Sequence, residues 1–175
     1  MVGTVAFGSL ATPLGEMTVA VTEEGVAGTG WGGRRWLAGR LMDGLGLAEV
    51  DDPGRTAPAL GELADYYAER LKAFTVPVDW RLTTSAQRAV LGTLYETVPY
   101  GQVVTYGELA ARSGTGIPAR AIGSIMGANP IPVIVPCHRV VAASGLGGFS
   151  GGEGVESKRW LLTLEGYLQP MLDWS

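Results

Sequence analysis

The sequence of 175 residues contains one cysteine and one histidine, Cys137 and His138. A single cysteine cannot form an internal disulfide, and with one histidine it falls short of the three or four ligands that a zinc ion needs in proteins. No apolar run approaches the roughly 20 residues of a membrane span, and the first residues show no basic segment followed by an apolar core. These absences exclude a protein-only zinc site of the usual type and predict a cytoplasmic protein without a membrane partner.

Charged residues are also few, at 17%, and they are unequally shared between the two halves of the chain. Residues 1–83 hold seven basic and eleven acidic side chains, whereas residues 84–175 hold six of each, so the net charge of −4 belongs to the first half. Because neutralised phosphates supply most of the affinity for nucleic acid, an acidic chain is a weak candidate for a nucleic-acid partner. Any DNA binding should be weak and confined to a small patch of the second half.

Hydrophobic residues make up 46% of the chain, enough for one core or for two small lobes that share an interface. In the first half, short apolar runs separated by turn residues predict a small antiparallel sheet with helices. The predicted elements are strands at 5–7, 17–21 and 25–31, helices at 35–45 and 58–71, a loop at 51–54 and a linker at 75–84. The pattern predicts an α+β fold with an N-terminal domain at 1–80 and a C-terminal domain at 85–170.

The second half is predicted to be mostly helical. Ser85 is the expected cap of a helix over 85–97. Two shorter helices follow at 105–112 and at about 118–128, joined by a glycine-containing turn, and such a pair is a helix-turn-helix candidate. That pattern alone is a weak indication of DNA binding, because helix pairs of this kind are frequent in ordinary helical cores.

The only cysteine and the only histidine stand side by side at the end of an apolar run. Residues 131–136 are mostly β-branched or proline, which predicts a strand that delivers Cys137 and His138 to the end of a sheet. The thiolate is the reactive form of cysteine, and an adjacent base is the usual way to form it near neutral pH. The alternative is a buried structural cysteine with an accidental neighbour, which for such a pair alone is the more common case.

One face of the predicted helix at 118–128 is almost without side chains. Arg120, Gly123, Ser124 and Gly127 fall at positions i, i+3, i+4 and i+7, and the apolar residues take the opposite side. A glycine inside a helix costs about 1 kcal/mol against alanine, so this face needs a reason. One reason is close packing against another protein element, which the pattern alone favours. The other is close approach to a narrow nucleic-acid groove, with Arg120 as the only long side chain.

Several motifs of the second half together resemble one protein family. In chain order they are Tyr106, Arg120, Pro136-Cys137-His138-Arg139-Val140, the glycine-rich residues 147–152 and the segment Lys158–Gly166. In order and spacing, residues 85–166 resemble the O6-alkylguanine-DNA alkyltransferases, also called methylated-DNA–protein-cysteine methyltransferases. Residues 30–80 match this family only loosely.

The resemblance implies a ribonuclease H-like N-terminal lobe and DNA repair by direct reversal. Cys137 would accept a methyl or other small alkyl group from guanine O6 in one irreversible displacement, without cofactor or metal, and whether thymine O4 is also a donor stays open. A relay of Cys137, a water, His138 and Glu165 would form the thiolate. Tyr106 would protonate the leaving base, and Asn129 would hold the loop of the cysteine. From the sequence alone, a solvated charge at a helix end is the more common role for Glu165.

The partner that the resemblance implies is double-stranded DNA with O6-alkylguanine, bound by a monomer. The damaged base must leave the stack to be reached. The bare helix face would enter the minor groove, and Arg120 would fill the space that the base leaves. The implied DNA-binding residues are Arg120, Tyr106, Ala121, Gly123, Ser124 and Gly127. The implied pocket for the flipped base is formed by Val140, Ser144, Gly145, Phe149 and Ser150.

Three features depart from the family pattern. Phe149 stands where some relatives have tyrosine, Ala86 and Leu91 stand where relatives usually have phenylalanine and tryptophan, and residues 153–156 add acidic charge near the site. These differences predict altered preference, a repacked core and weaker approach of DNA. Two other functions stay open: a non-catalytic DNA-binding or regulatory protein, and alkyl transfer from a small molecule that is not DNA. Cys137 argues against the relatives that bind the lesion without repairing it, which have tryptophan at that position.

Overall fold

The N-terminal half forms a four-stranded sheet. The computed structural model describes residues 3–170. The prediction that the chain has no signal segment concerns its first residues, and two of these lie outside the described range. The strands are β1 (Thr4–Thr12), β2 (Gly15–Thr22), β3 (Val26–Gly30) and β4 (Ala48–Glu49), in the order β3-β2-β1-β4. The first three are antiparallel, as predicted, but β4 runs parallel to β1, so the sheet is mixed.

Both faces of the sheet are covered, which explains why the inner half of β2 is buried throughout. Successive side chains of a strand point to opposite faces. Val19 accordingly joins a core with Leu63 on one face, and Ala20 joins a smaller cluster with Leu41 on the other.

Two helical segments supply this cover. They are α1 (Arg34–Ala38), which continues as a π-helical turn over Gly39–Asp43, and α2 (Pro53–Tyr67). The first segment agrees with the predicted helix at 35–45.

Helix α2 begins earlier than predicted, because Asp52 and Pro53 start it. Asp52 accepts a hydrogen bond from the backbone N–H of Arg55 at 3.1 Å, and proline takes the first helical position, where its missing N–H costs nothing. The predicted loop at 51–54 therefore ends at Asp52, and the predicted helix bounds of 58 and 71 were wrong, since α2 ends at Tyr67.

The earlier start also changes the buried face of α2. The buried residues of the helix are Thr56, Ala59, Leu63 and Tyr66. Tyr66 is fully buried, whereas Tyr67, which was expected to point inward, is only partly buried. This difference matters for the site described below.

The segment between the halves is packed against the sheet. The backbone N–H of Val26 donates to the carbonyl of Pro77 at 2.8 Å, and the N–H of Asp79 donates to the carbonyl of Val26 at 2.9 Å. The Asp79 side chain is buried and accepts a hydrogen bond from the hydroxyl of Thr22 at 2.6 Å. The predicted linker at 75–84 thus extends the edge of the sheet at β3.

The C-terminal half is mostly helical, as predicted. Its elements are α3 (Ser85–Thr97), β5 (Val104–Thr105), α4 (Tyr106–Ser113), α5 (Ala119–Gly127), β6 (Val140–Val141) and α6 (Val155–Leu164). Thr84 caps α3 through a capping box with Gln87, so the predicted cap at Ser85 was off by one residue. The short strands β5 and β6 pair in parallel, and no pattern in the sequence indicated them.

One hydrophobic core joins the two halves. Buried Met17 and Tyr66 of the first half belong to the same cluster as Leu91 and Leu161 of the second. Ala86 is exposed, so the small residue at this position leaves no gap in the core. The division into domains at 80–85 stays a prediction. Within residues 3–170, no helix is both long and apolar enough to cross a membrane.

Candidate active site

Cys137 begins a short 3-10 helix, Cys137–Arg139, and does not end a strand. The preceding residues 131–135 form a turn, closed by a hydrogen bond from the N–H of Val135 to the carbonyl of Ile131 at 2.9 Å. Val133 has a φ of 75°, which is costly for a β-branched residue and is held here by the packed surroundings. The predicted strand was therefore wrong, although the run is buried as such a strand would be.

The buried side chain of Asn129 ties this turn together. Its Nδ2 donates to the carbonyl of Val135 at 2.9 Å, and its Oδ1 accepts from the N–H of Ile131 at 3.0 Å. One amide group thus fixes both ends of the loop that leads to Cys137.

His138 and Glu165 meet in the core together with two further side chains. His138 Nε2 lies 2.8 Å from Glu165 Oε2. Arg139 donates to the two carboxylate oxygens at 2.8 and 2.9 Å and to the carbonyl of Val98 at 2.9 Å. Tyr66 of α2 donates its hydroxyl to Oε2 at 2.6 Å. Glu165 is only 4% exposed, which rules out a solvated charge at the end of α6.

Burial and pairing decide the charges in this group. Burial alone would raise the pKa of Glu165, but the hydrogen bonds of His138 and Arg139 and the charge of Arg139 hold that pKa far below its usual value. Burial also lowers the pKa of His138, so its imidazole is neutral near pH 7. An ionised carboxylate at Nε2 requires the ring proton there. Nδ1 is left as an acceptor, and it is buried without a hydrogen-bond partner among residues 3–170.

Cys137 is buried, with 6% of the residue exposed. Burial raises the pKa of Cys137, and the neighbouring amide of Asn129 and charge of Lys158 act against this increase without reversing it. The thiol is therefore protonated at rest, and reaction as a thiolate requires a nearby base.

Lys158 of α6 is fully buried near the cysteine. Its Nζ donates to the carbonyl of Val140 at 2.6 Å and to the carbonyl of Gly148 at 3.1 Å, and burial lowers its pKa to about 8. The lysine thereby joins β6 to the glycine-rich segment at 147–152.

Tyr106, the first residue of α4, lies between two glycines. A Cβ at Gly123 would lie 3.9 Å from the Cε1 of Tyr106, and a Cβ at Gly147 would lie 2.6 Å from its hydroxyl oxygen. Gly147 also has a φ of 74°, which residues with a side chain rarely adopt. Glycine at 147 is therefore needed to leave room for the phenol beside α5.

The bare face of α5 points to solvent. Arg120, Gly123, Ser124 and Gly127 are exposed, and Ala121 beside them is half-buried. A Cβ at Gly127 would touch nothing within 4 Å. Close packing within the chain is thereby excluded as the reason for this face, at least for the part that the structure describes.

Two cavities meet at Cys137. One, of about 400 Å³, includes Tyr106 and Gly123, and the other, of about 420 Å³, includes Trp31 of the N-terminal half. The residues that line both are Gly127, Cys137, Phe149 and Ser150. In residues 3–170, no three His, Cys, Asp or Glu side chains are placed to hold a metal ion.

The five residues predicted to line the base pocket separate into two groups. Phe149 and Ser150 lie at both cavities, whereas Val140, Ser144 and Gly145 line neither. Val140 is buried in β6, and the following turn, closed between Ala142 and Gly145, leaves Ser144 and Gly145 exposed.

Comparison with known proteins gives the same family from two directions. The sequence model described as 6-O-methylguanine DNA methyltransferase, DNA binding domain, matches residues 85–167. The methylated-DNA–protein-cysteine methyltransferase of Salmonella typhimurium is 38% identical over 167 residues, which cover 91% of this chain and 94% of that protein. This chain belongs to the methylated-DNA–protein-cysteine methyltransferase family.

Mycobacterial members of the methyltransferase family are also similar to the chain. The protein of that name from Mycobacterium tuberculosis H37Rv is 46% identical over 115 residues, 65% of this chain and 67% of that protein. The crystal structure of Mycobacterium tuberculosis OGT in complex with DNA has a TM-score of 0.75 and 36% identity, and the match covers 92% of each chain. The α+β fold is thus shared with solved structures of the family.

Sequence reasoning missed several residues that complete the site in this methyltransferase. Lys158 entered only as part of a motif, and nothing indicated that Trp31 lies near Cys137. Tyr66 was missed because the inward face of α2 was misassigned. The spacing of Ala59, Leu63 and Tyr66 is helical and could have identified the buried tyrosine.

Proposed function

We propose that this chain repairs DNA by direct reversal, transferring a methyl or other small alkyl group from guanine O6 irreversibly to Cys137. The observation that carries the proposal is a lone thiol at the meeting point of two cavities, beside a histidine whose free nitrogen is an acceptor. The names of the relatives and the DNA complex of the similar mycobacterial structure support the same reaction. Because the new bond to sulfur is not broken again, each molecule reacts once.

The chemical step is a displacement at the alkyl carbon. His138 Nδ1 takes the thiol proton through a water, and a thiolate electron pair forms the S–C bond as the C–O6 bond breaks. The electrons of the broken bond stay on guanine, which takes a proton at N3 from the hydroxyl of Tyr106; Tyr106 is then reprotonated from solvent. Glu165, already ionised, stabilises the imidazolium that forms. The alkyl donor is the DNA, so the step balances without a cofactor.

Other buried groups have a positioning role. Asn129 fixes the turn before Cys137, and Lys158 fixes the segment that follows it. Arg139 and Tyr66 hold the carboxylate of Glu165 in one orientation. These contacts hold the segments that carry Cys137 and its proposed base before the substrate arrives, and such preorganisation favours reaction over the uncatalysed step.

The exposed face of α5 is the proposed contact with DNA. A base whose O6 lies inside the stack must rotate out to be attacked. The small residues at 123, 124 and 127 allow α5 into the narrow minor groove, where Arg120 fills the space left by the base. Gly127 lies both on this face of α5 and at the cavities. Helix α5 would therefore connect the minor groove of the DNA with the thiol of Cys137.

We further propose that the protein acts on double-stranded DNA as a monomer in the cytoplasm. One copy of the chain contains both the α5 face and the thiol with its base, so no second copy is needed to complete the site. A free thiol is kept in its reduced form in that compartment.

The buried group around Glu165 favours a protein that transfers the alkyl group over a protein that only binds DNA. Ionised side chains in a core carry a desolvation penalty, and a binding or regulatory protein gains nothing from placing a base beside a thiol. The second candidate is alkyl transfer from a small molecule, which the net charge of −4 favours because DNA is repelled.

Incubation with duplex DNA that carries labelled O6-methylguanine tests the proposal. We expect one label per molecule on Cys137 and normal guanine in the DNA. Cys137→Ser should abolish transfer and keep fold and DNA affinity, since it is nearly isosteric but lacks an acidic thiol. Label from free O6-alkylguanine alone would support the small-molecule reaction, and binding without label would support the non-catalytic protein. Transfer by the Cys137→Ser variant would refute the mechanism.

A further inference from the structure

Arg139 shares the buried carboxylate of Glu165 with His138. Its guanidinium donates to the two oxygens at 2.8 and 2.9 Å, while His138 Nε2 lies 2.8 Å from Oε2. We propose that Arg139 is a positioning residue whose charge keeps Nδ1 of His138 free of a proton, and thus able to accept one from Cys137. The inference rests on the proposed alkyl transfer and deepens it, because it names the residue that keeps the base in its reactive form.

The charge of Glu165 needs compensation where it stands. His138 is 0% exposed and Glu165 is 4% exposed, so water screens neither of them. A lone negative charge in such surroundings is costly, and it draws a proton to itself or to a neighbouring base. Arg139 removes this need, since guanidinium and carboxylate together have no net charge. The imidazole can then stay neutral beside an ionised carboxylate.

Loss of the guanidinium would place one more proton on the pair of His138 and Glu165 near neutral pH. If the imidazole took it, both ring nitrogens would carry a proton. If the carboxylate took it, its O–H would donate to Nε2, and the neutral ring would then carry its proton on Nδ1. In either case Nδ1 is no longer an acceptor, so it cannot take the thiol proton of Cys137 through a water.

Two of the other titratable groups around His138 carry no charge at rest. Tyr66 of α2 donates to Glu165 Oε2 at 2.6 Å, and burial together with the charge of Glu165 raises its pKa. Burial also raises the pKa of Cys137, so the thiol is protonated. Neither group can balance the carboxylate.

The remaining charged neighbour of His138 is Lys158 of α6. Burial lowers the pKa of His138, the charge of Glu165 raises it, and the charges of Arg139 and Lys158 lower it. Lys158 donates to two backbone carbonyls. Among the charged side chains of residues 3–170, Arg139 alone forms an ion pair with Glu165. The compensating charge is therefore that of Arg139.

Arg139 is also held in place by contacts that do not involve the carboxylate. Its third guanidinium nitrogen donates to the carbonyl of Val98 at 2.9 Å, and the group lies 5.9 Å from the centre of the Tyr100 ring. The positive charge is thus fixed beside Glu165 before any proton moves.

NMR of the imidazole tests the proton state directly. His138 is the only histidine of the chain, so protein labelled with nitrogen-15 in histidine reports on this ring alone. For the unaltered protein at pH 7 we expect a neutral ring with its proton on Nε2 and none on Nδ1. A proton on Nδ1 at pH 7 would overturn the inference. The measurement needs neither DNA nor transfer, so its result is independent of the proposed function.

Substitutions of Arg139 test whether its charge is what matters. Single-turnover transfer from duplex O6-methylguanine is measured at pH 6.5 and at pH 8. Arg139→Gln should be about tenfold slower at pH 6.5 than at pH 8, because a neighbouring charge moves a pKa by about one to three. Arg139→Lys loses the two-point contact but keeps the charge, so it should keep the nearly equal rates of the unaltered protein. Arg70→Gln, which removes an exposed guanidinium paired with Asp65, is the matched control.

A double variant separates charge from shape. Arg139→Gln combined with Glu165→Gln leaves no charge to balance, so the rates at pH 6.5 and pH 8 should again be nearly equal, although both are lower. A neutral pair is also easier to bury than a single unpaired charge. If Arg139→Gln does not fold, Arg139→Lys and the NMR of the unaltered protein decide the question.

The outcomes distinguish this inference from the proposed function. Rates that depend on pH no more in Arg139→Gln than in the unaltered protein would overturn it, because Arg139 would then only hold the shape of the site. The same pH dependence in Arg139→Lys as in Arg139→Gln would overturn it too. Absence of transfer by the unaltered protein at every pH would overturn the proposed function, whereas the proton state of His138 would still be measured by NMR.

Discussion

The C-terminal half carries the residues that we propose to react, whereas the N-terminal half lines one side of their site. Cys137, His138 and Tyr106 are all in the second half, and the first half adds Tyr66 behind the base and Trp31 at the cavity. Residues of the first half that line the cavity can therefore be substituted without a change to Cys137 or His138.

The two halves also differ in the charge that they offer to DNA. The first half is acidic, and the second is neutral with six basic residues. Two of these, Arg139 and Lys158, are buried in the site and cannot reach a phosphate. Four basic residues of the second half remain for contact with DNA: Arg88, Arg112, Arg120 and Arg159.

The dependence of DNA affinity on salt tests this difference most strongly. With two to four phosphate contacts, a plot of log affinity against log salt should have a slope of roughly −2 to −4, which is a loss of about 16- to 250-fold between 50 and 200 mM salt. Fluorescence anisotropy with a labelled duplex measures it. A slope of roughly −8 or steeper would show that arginines of the first half also bind phosphates.

Substitution of Arg120 should distinguish an effect on extrusion of the damaged base from an effect on alkyl transfer itself. Arg120→Ala should slow repair in duplex DNA about tenfold to a hundredfold, because extrusion of a base costs a few kcal/mol. Reaction with a free O6-alkylguanine, which needs no extrusion, should change far less. Arg88→Ala, an exposed arginine on α3, serves as the matched control. The same loss on both substrates would mean that Arg120 supports the fold.

Substitution of Tyr66 tests whether the first half influences His138, the proposed general base, or only covers it. Tyr66→Phe removes the hydrogen bond to Glu165 and should lower the free energy of unfolding by about 1.5–3 kcal/mol, the usual value for a bond to a charged group. Transfer should slow several-fold, since the carboxylate that orients His138 is held less firmly. Urea unfolding and single-turnover rates measure the two effects. Tyr67→Phe removes a hydroxyl that contacts the sulfur of Met17 at 3.8 Å and the side chain of Thr12 but not Glu165, so it should leave the transfer rate unchanged and affect unfolding less.

The pH profile of transfer should be nearly flat between about pH 6.5 and 8, with changes below about twofold. Burial lowers the pKa of His138, so the neutral base persists below its usual pKa of about 6.5, and the rate falls only as pH drops through the lowered value. Burial raises the pKa of Cys137, so the thiol keeps its proton until His138 takes it. Stopped-flow rates across this range decide the route. A rate that rises about tenfold per pH unit would show that solvent forms the thiolate.

Sequence patterns within a few residues predicted the elements that short-range interactions determine. The helical spacing and the caps placed α3, α4 and α5 to within one or two residues, and the motif residues placed Cys137 beside His138. The antiparallel hairpin of β1 and β2 also follows from its turn residues, since Gly15 has a φ of 111°.

Features that depend on distant contacts had no such pattern. A buried turn and a buried strand both show an apolar β-branched run, so residues 131–135 were misassigned. The two-residue strands β5 and β6 exist only because their segments meet in the fold. Tyr66 and Glu165 are 99 residues apart in the chain, and neither neighbourhood indicates the other.

The open face of α5 also limits how the protein can evolve. Alanine at Gly127 would meet nothing within 4 Å, and at Gly123 it would meet only the ring of Tyr106 at 3.9 Å. Each replacement should strengthen the helix by about 1 kcal/mol. Selection for heat resistance alone would therefore favour alanine at these positions, at the expense of the proposed fit of α5 to the minor groove of DNA. Two glycines on the exposed face of a helix therefore agree with the proposed contact of α5 with DNA.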